Sequence, residues 1–168
     1  LWEQKDQLQG TVKLLFQAAE EVFVGSHYYW DKGYLNDVDA AMGIHVWPTL
    51  DSGCMAIKDG ELMASCDNFK MTIHGVSAHG SMPNAGNNPI DCFAALYGTM
   101  QTLRMRHANP FDPMVFSIGQ VHAGTAGNII PGELFFNGSF RVFNHGDGLH
   151  IREELCKIIE GTAAVYGC

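Results

Sequence analysis

The sequence lacks three features that would each assign it to a familiar class of protein. No apolar run approaches the ~20 residues that a membrane-spanning helix needs. There is no Cys-x-x-Cys pair, and the five cysteines are widely spaced. Positive charge is also scarce, with 10 basic against 18 acidic side chains in 168 residues. These absences argue against a membrane span, a cysteine zinc site, and binding to nucleic acid or to an anionic membrane surface.

The cysteines and the start of the chain both bear on the cellular compartment. An odd number of widely spaced cysteines favours reduced, mostly buried thiols over a disulfide framework. No charged region followed by an apolar one opens the chain, so the sequence predicts no signal peptide. We therefore expect a cytoplasmic protein. The cysteines are Cys54, Cys66, Cys92, Cys156 and Cys168.

Residues 1–66 predict part of an α/β domain that contains a parallel sheet. Thr11 to Gln17 and Val38 to Val46 are mostly apolar, as strands buried on both faces of a parallel sheet are. Cys54 to Lys58 predicts a shorter strand that ends at an Asp-Gly turn. Between the first two strands, residues 22–35 favour a helix.

Residues 67–168 have a different pattern, and we predict a second domain there. Phe69, Met71 and Ile73 alternate with polar residues, which indicates a half-buried antiparallel strand. The predicted order of elements is β-α-β-β-α, one strand short of a ferredoxin-like sandwich of two helices on a four-stranded sheet. The later elements are a helix with Asn88 as N-cap and Pro89 in its first turn that runs to Arg106, strands Val115 to Val121 and Glu133 to Phe143, and a last helix with Asp147 as N-cap.

Glu20, Glu21 and His45 each follow or lie within one of the predicted buried strands. Two adjacent carboxylates are costly to bury, and a divalent cation removes that cost. One carboxylate could bind the metal while the other takes a proton from water, and His45 could supply a second ligand. Strand ends are where sites gather in open α/β sheets. The alternatives are a solvated first helical turn for the glutamates and a satisfied core residue for His45.

The second domain offers three further candidate residues. His79 lies in the glycine-rich stretch Gly75 to Pro83, and it is either a hydrogen-bond donor to an oxyanion or part of a surface turn. Asn128 lies in the loop Ala123 to Pro131, where an asparagine either contacts a ligand or serves the backbone of the turn. Arg141 could bind a carboxylate with two hydrogen bonds or form a cross-strand ion pair.

Taken together, five short motifs resemble the co-catalytic metallohydrolases that include aminoacylase and the carboxypeptidase that removes glutamate from folates. The closer match is the amidohydrolase branch, which contains hippurate hydrolase, N-acyl-amino-acid hydrolases and hydrolases of auxin conjugates. The motifs, in the family's order, are Lys13 to Glu21 (similar to Gln-Pro-Ala-Glu-Glu), Gly43 to Pro48 (Gly-Ile-His-Val-Trp-Pro), Gly75 to Pro83 (Gly-x-x-x-His-Gly-x-x-Pro), Gly124 to Pro131 (Gly-Thr-x-x-Asn-Ile-Ile-Pro) and Gly138 to Arg141 (Gly-Ser-x-Arg).

The resemblance implies a fold and a reaction. Residues 1–66 would be part of a metal-binding α/β catalytic domain, and residues 67–168 a ferredoxin-like lid that mediates dimerisation. The reaction would be hydrolysis of the amide bond of N-acyl amino acids, with two divalent ions per site, zinc or manganese. The implied roles are general base for Glu20, metal ligand for Glu21 and His45, oxyanion donor to the partner subunit's site for His79, and substrate binding for Asn128 and Arg141.

The resemblance also leaves alternatives and expectations beyond this chain. A dipeptidase or a carbamoyl-amino-acid hydrolase belongs to the same family, and a metal-free dimerisation or ligand-binding module has the same lid fold. The branch's Cys-Gly-His-Asp ligand segment would precede Leu1, and its last histidine ligand would follow Cys168. Glu21 and His45 alone leave a metal ion short of four ligands.

Overall fold

The computed structural model describes residues 2–22 and 24–168, and the chain divides into two compact units between Cys54 and Met55. The first unit contains two short 3-10 helices, Trp2–Gln7 and Glu20–Val22, and the helix α1, Gly25–Asp31. Helix α1 lies within the stretch 22–35 for which the sequence favours a helix. The functional boundary between residues 66 and 67 stays a prediction.

The predicted strands of the first domain are wrong in the part of the chain that the structure describes. Thr11 to Gln17, Val38 to Val46 and Cys54 to Lys58 form no strand, and Leu14 and Ile44 are 70% and 86% exposed. The apolar composition of these segments suits a strand buried on both faces. A parallel strand, however, is stable only when it has hydrogen-bonded neighbours and helices over both faces. The described residues supply neither for these segments.

In the second unit, the alternating residues form an antiparallel three-stranded sheet, and the fold is mixed α/β. Its strands are β1 (Asp67–His74), β3 (Met114–Ala123) and β5 (Glu133–Val142), in the order β1-β5-β3. Two short strands, β2 (Ala78–His79) and β4 (Ile129–Ile130), pair with each other as a separate ribbon. The order matches three adjacent strands of a ferredoxin-like sheet, as predicted.

Three helices cover one face of this sheet and enclose its core. They are α2 (Pro89–Met100), α3 (Thr102–Arg106) and α4 (His145–Tyr166). None of the helices formed by the described residues has both the length and the apolar character that a bilayer crossing demands. The buried core consists of Ile73, Met114, Leu134, Phe136, Phe140 and Val142 from the strands and of Cys92, Leu96, Met100, Leu103, Ile151 and Leu155 from the helices.

Side-chain caps fix where the long helices begin. The Asn88 side chain accepts a hydrogen bond from the Ile90 amide at 3.0 Å, which confirms the predicted N-cap of α2. The prediction for α4 is wrong, because Asn144 and not Asp147 is its N-cap. The Asn144 Oδ1 atom accepts hydrogen bonds from the amides of Gly146 and Asp147. Asp147 lies in the first turn, where its charge faces the positive end of the helix dipole.

The five thiols are all free, but they are not mostly buried as predicted. Cys92 is fully buried, whereas Cys54 and Cys156 are exposed. Cys156 lies on the exposed face of α4, and Cys66 and Cys168 are half-buried. Burial raises the pKa of the Cys92 thiol to about 11, and the neighbouring Cys168 thiol adds to the shift.

Gly138 in the central strand β5 leads to the first testable prediction. A Cβ atom at this position would lie 2.2 Å from the Ser117 carbonyl oxygen and 2.6 Å from the Phe69 ring. We expect Gly138→Ala to lower the free energy of unfolding by about 1–3 kcal/mol, measured by urea denaturation. Gly119→Ala, in the neighbouring strand with no atom within 4 Å of the new Cβ, is the control and should change it by less than about 0.5 kcal/mol. Equal effects of the two substitutions would contradict this packing.

Candidate functional site

The ribbon of β2 and β4 brings together two of the candidate residues, His79 and Asn128. His79 pairs with Ile129 across the ribbon, and the Gly80 amide donates a hydrogen bond to the Asn128 carbonyl at 2.8 Å. A Cβ atom on Gly80 would lie only 3.0 Å from that carbonyl oxygen, so the close pairing favours glycine here. The two glycine-rich motifs, Gly75 to Pro83 and Gly124 to Pro131, therefore supply the two paired strands of one ribbon.

His79 is exposed, and its hydrogen bonds determine which ring nitrogen carries the proton. The backbone amide of Ser81 donates to Nδ1 at 3.2 Å, and the Ser81 hydroxyl lies 2.8 Å from the same atom. Because an amide N–H can only donate, Nδ1 must be the acceptor. The neutral ring then carries its proton on Nε2. This N–H group is free to donate to a developing oxyanion.

The backbone conformation at position 128 does not by itself require an asparagine. Among the described residues other than glycine, Ala19 alone has a positive φ, so Asn128 is not in the left-handed conformation that asparagine tolerates well. Its carbonyl holds the ribbon together, while its exposed side-chain amide forms no hydrogen bond within residues 2–22 and 24–168. This exposed amide can therefore contact a ligand.

Arg141 lies far along the sheet from these two residues. It is exposed, pairs with Val115 on β3, and forms no ion pair within the described part of the chain. The ribbon adjoins the other end of β5, where the Gly75 amide donates to the Gly132 carbonyl next to Glu133. At about 3.4 Å per residue, the strand separates Glu133 from Arg141 by roughly 27 Å. A small molecule cannot contact Arg141 and His79 of the same lid.

Glu20 and Glu21 form a short 3-10 turn and are both exposed. The turn follows Ala19, whose φ of 55° is unfavourable for a residue with a Cβ atom. The Ala19 carbonyl accepts hydrogen bonds from the amides of Val22 and Val24 at 3.4 Å each, which holds the turn. Neither carboxylate is neutralised by an ion pair in the described residues, so both remain available to a cation.

His45 is exposed and therefore not the satisfied core residue that the sequence allowed. Its Nδ1 atom lies 2.6 Å from the Val46 carbonyl oxygen, and the ring makes an edge contact with Trp47 at 5.8 Å. A carbonyl can only accept, so Nδ1 carries the proton and Nε2 keeps its lone pair. An imidazole in this tautomer is a suitable metal ligand.

The candidate metal ligands are suitable in chemistry but are not gathered. Two carboxylates and a neutral imidazole are a donor set that zinc and manganese accept. The ligand atoms of Glu20, Glu21 and His45 do not form a group within 4.8 Å in the described residues. In the described residues, the segments that carry these ligands are not paired with other strands, and such pairing would fix the distances between the ligands. Their roles, and those of His79, Asn128 and Arg141, stay predictions.

Sequence reasoning missed a second group of potential ligands, in the lid. Atoms of His107, His150 and Glu154 lie within 4.8 Å of one another. The separation of four residues between His150 and Glu154 on a predicted helix was a visible signal, since it places both on one face. His107 could not be added from the sequence, because only the packing of α3 against α4 brings it near.

The lid matches a known family. The model of the peptidase dimerisation domain of M20 enzymes matches residues 66–166. The chain belongs to the M20 peptidase family. It is 34% identical over 165 residues to N-acetylcysteine deacetylase from Bacillus subtilis and 32% identical over 164 residues to an N-acyl-L-amino acid amidohydrolase from Geobacillus stearothermophilus. These alignments cover 98% and 97% of this chain, but only 43% and 44% of the relatives.

Two solved structures also resemble the fold of this chain. The YXEP protein of Bacillus subtilis, described as a dinuclear metal-binding peptidase of the M20 family, has a TM-score of 0.66 and 32% identity over 90% of this chain. A protein from methicillin-resistant Staphylococcus aureus has a TM-score of 0.79 and 26% identity over 86% of this chain. This chain covers 37% and 38% of these two structures, respectively. The resemblance stated from the motifs is thereby confirmed at the level of the family.

The tautomer of His79 can be tested without any substrate. We expect the neutral ring to carry its proton on Nε2, because the Ser81 amide donates to Nδ1. Long-range ¹H–¹⁵N correlation spectra of the imidazole ring distinguish the two tautomers. Ser81→Ala keeps the backbone donor, so this variant should retain the same tautomer. A proton on Nδ1 in the unsubstituted chain would contradict the assignment.

Proposed function

We propose that this chain is part of a metal-dependent amidohydrolase that cleaves the amide bond of N-acyl amino acids. The observation that carries the proposal is the lid ribbon, which presents the Nε2–H donor of His79 on β2 and the exposed Asn128 next to β4. Hydrogen-bond donors held on a rigid ribbon suit the oxyanion of a tetrahedral intermediate. Further support comes from the hydrolases of acylated amino acids that align with nearly the whole chain.

In this proposal Glu21 and His45 would hold a divalent ion, zinc or manganese, together with ligands from outside this chain. When bound, such an ion supplies an acidified water and polarises the amide carbonyl. The Glu20 carboxylate would take a proton from the attacking water and pass it to the leaving nitrogen as the amide C–N bond breaks. His79, from the other subunit, would donate a hydrogen bond to the carbonyl oxygen as it becomes negative, and Asn128 would bind the substrate.

The length of β5 supports a homodimer in which each site uses both subunits. Arg141 and His79 lie at opposite ends of β5, so one substrate cannot contact both from a single lid. In a two-fold dimer, Arg141 of one subunit and His79 of the other could meet at one substrate. In a ferredoxin-like sheet the fourth strand pairs beside β1, which leaves β3 as the free edge. We propose that β3 forms the dimer contact and that Arg141 binds the substrate's carboxylate.

The remaining parts of the proposal concern domains and compartment. Residues 1–66 would belong to the catalytic domain and residues 67–168 to the lid. Free thiols at Cys54 and Cys156 on the surface suit the reducing cytoplasm. A dipeptidase or carbamoyl-amino-acid hydrolase would use the same residues on a different amide, and a pure dimerisation module would have no use for Glu20.

Kinetics of the whole protein that carries this chain test the chemistry. With N-acetyl amino acids as substrates, we expect Glu20→Gln to abolish measurable turnover. His79→Gln should lower kcat on the order of 10²–10³ with little change in KM, because its hydrogen bond strengthens in the transition state. His74→Gln, an exposed strand histidine outside the ribbon, is the matched control. Robust turnover by Glu20→Gln would remove that residue from the mechanism.

Mixing inactive subunits tests whether His79 acts on the partner's site. A heterodimer of a Glu20→Gln subunit and a His79→Gln subunit contains one site with both residues intact if His79 acts across the interface. Random mixing makes half of the dimers mixed, so about one quarter of the unsubstituted activity should return. Activity should stay near zero if His79 serves its own subunit. A whole protein that is strictly monomeric by light scattering would also contradict the proposal.

A further inference from the structure

The lid contains a cluster of side chains that the proposed hydrolysis does not use. One ligand atom from each of His107, His150 and Glu154 lies within 4.8 Å of the other two. The His107 and His150 rings have centroids 6.0 Å apart, and the His107 Nδ1 atom is 3.5 Å from Glu154 Oε2. None of these residues belongs to the five motifs of the hydrolase resemblance.

The backbone that bears this cluster is held from two sides. His107 follows helix α3, and its amide donates to the Leu103 carbonyl at 2.9 Å. His150 and Glu154 are one turn apart on α4, so they lie on the same face of the helix. Leu103 is fully buried in the core against which α3 and α4 pack. The backbone positions of all three residues are therefore fixed by the packing of α3 and α4.

Glu154 has one oxygen free for a further partner. Lys157 donates to its Oε1 atom at 2.7 Å, while Oε2 faces His107. The hydrogen bond from Lys157 lowers the pKa of the Glu154 carboxyl. The side chain is 16% exposed, less than an ordinary surface glutamate, so its charge is partly withdrawn from water. A cation on the His107 side would compensate that loss of solvation.

We propose that His107, His150 and Glu154 bind one divalent ion of the zinc class, which joins the end of α3 to α4. Two imidazoles and one carboxylate are a known three-ligand zinc set, with water in the fourth position. Bonds of about 2.0–2.1 Å in a tetrahedron place ligand atoms roughly 3.3 Å apart. The present separations of up to 4.8 Å close to that value with small side-chain rotations. His150 is exposed and free to rotate.

Metal binding by this site can be measured on the 168-residue chain with cobalt(II) and zinc. Glu21→Ala and His45→Ala form the background, so that the proposed catalytic ligands cannot contribute. We expect one cobalt ion per chain, an intense visible absorption typical of tetrahedral coordination, and its loss on addition of zinc. Calorimetry of zinc binding gives the dissociation constant, and zinc should also raise the Tm.

Substitutions in the cluster decide the assignment. His150→Ala and His107→Gln should each weaken zinc binding at least tenfold, on the order of the loss that follows changes around metal sites. His145→Ala, an exposed histidine in the first turn of the same helix, should leave binding unchanged. His150 is exposed, so its variant should fold, which unaltered circular dichroism would verify. Affinity that is equal in the His145 and His150 variants, or no tetrahedral cobalt spectrum, would overturn the proposal.

This test is separate from that of the proposed function. His150→Ala in the whole protein should leave hydrolysis of N-acetyl amino acids unchanged at saturating metal, since the cluster touches no proposed catalytic residue. If Glu20→Gln abolishes hydrolysis but the lid binds no metal, only the proposed lid metal site is contradicted. If the lid binds metal but the whole protein does not hydrolyse N-acetyl amino acids, only the proposed function is contradicted.

Discussion

The register of the central strand β5 is the constraint on which the rest of the lid depends. It pairs antiparallel with β1 along one side and with β3 along the other. This double pairing places Phe136 and Phe140 towards the helices and Arg141 on the opposite, open face. A slip of one residue would exchange the two faces and bury Arg141. Gly138 allows β5 to approach Ser117 and Phe69 closely, which holds the register in place.

The same strand also sets the distance between the candidate substrate contacts. Its first residue adjoins the ribbon of His79 and Asn128, and its next-to-last residue is Arg141. Because the length of a paired strand is fixed, movements of the loops cannot bring these contacts together. A single lid therefore holds these candidate contacts at opposite ends of one strand. In the proposed dimer, two-fold symmetry is the simplest way to bring the unlike ends together.

How far the sequence predicted the fold depended on where the pairing partners lie. In the lid, every long strand pairs within the chain, and local sequence patterns alone located β1, β3 and β5. In the first unit the apolar run Thr11 to Gln17 carried the composition of a parallel strand. Such a strand needs neighbours that no local pattern contains, and the described residues do not provide them. The N-cap of α4 was missed by three residues because Asn144 and Asp147 are both good caps, and the sequence does not rank them.

For the candidate site, too, the success of the sequence prediction depended on whether a residue's partners lie within the described chain. Motif resemblance located His79 and Asn128, but the acceptor state of Nδ1 depends on the Ser81 amide and cannot be read from residue types. The ribbon is complete within the described residues, and the hydrogen bond from the Ser81 amide to the His79 ring is already formed. Glu20, Glu21 and His45 instead lie exposed on segments that form no strand ladder in the described residues. Like-charged carboxylates repel when brought together, so in the proposed site a cation and neighbouring strands would supply the order that these residues lack. The His79 ring is thus held by a hydrogen bond within the lid, whereas Glu20, Glu21 and His45, the proposed general base and metal ligands, have no strand ladder to fix their geometry.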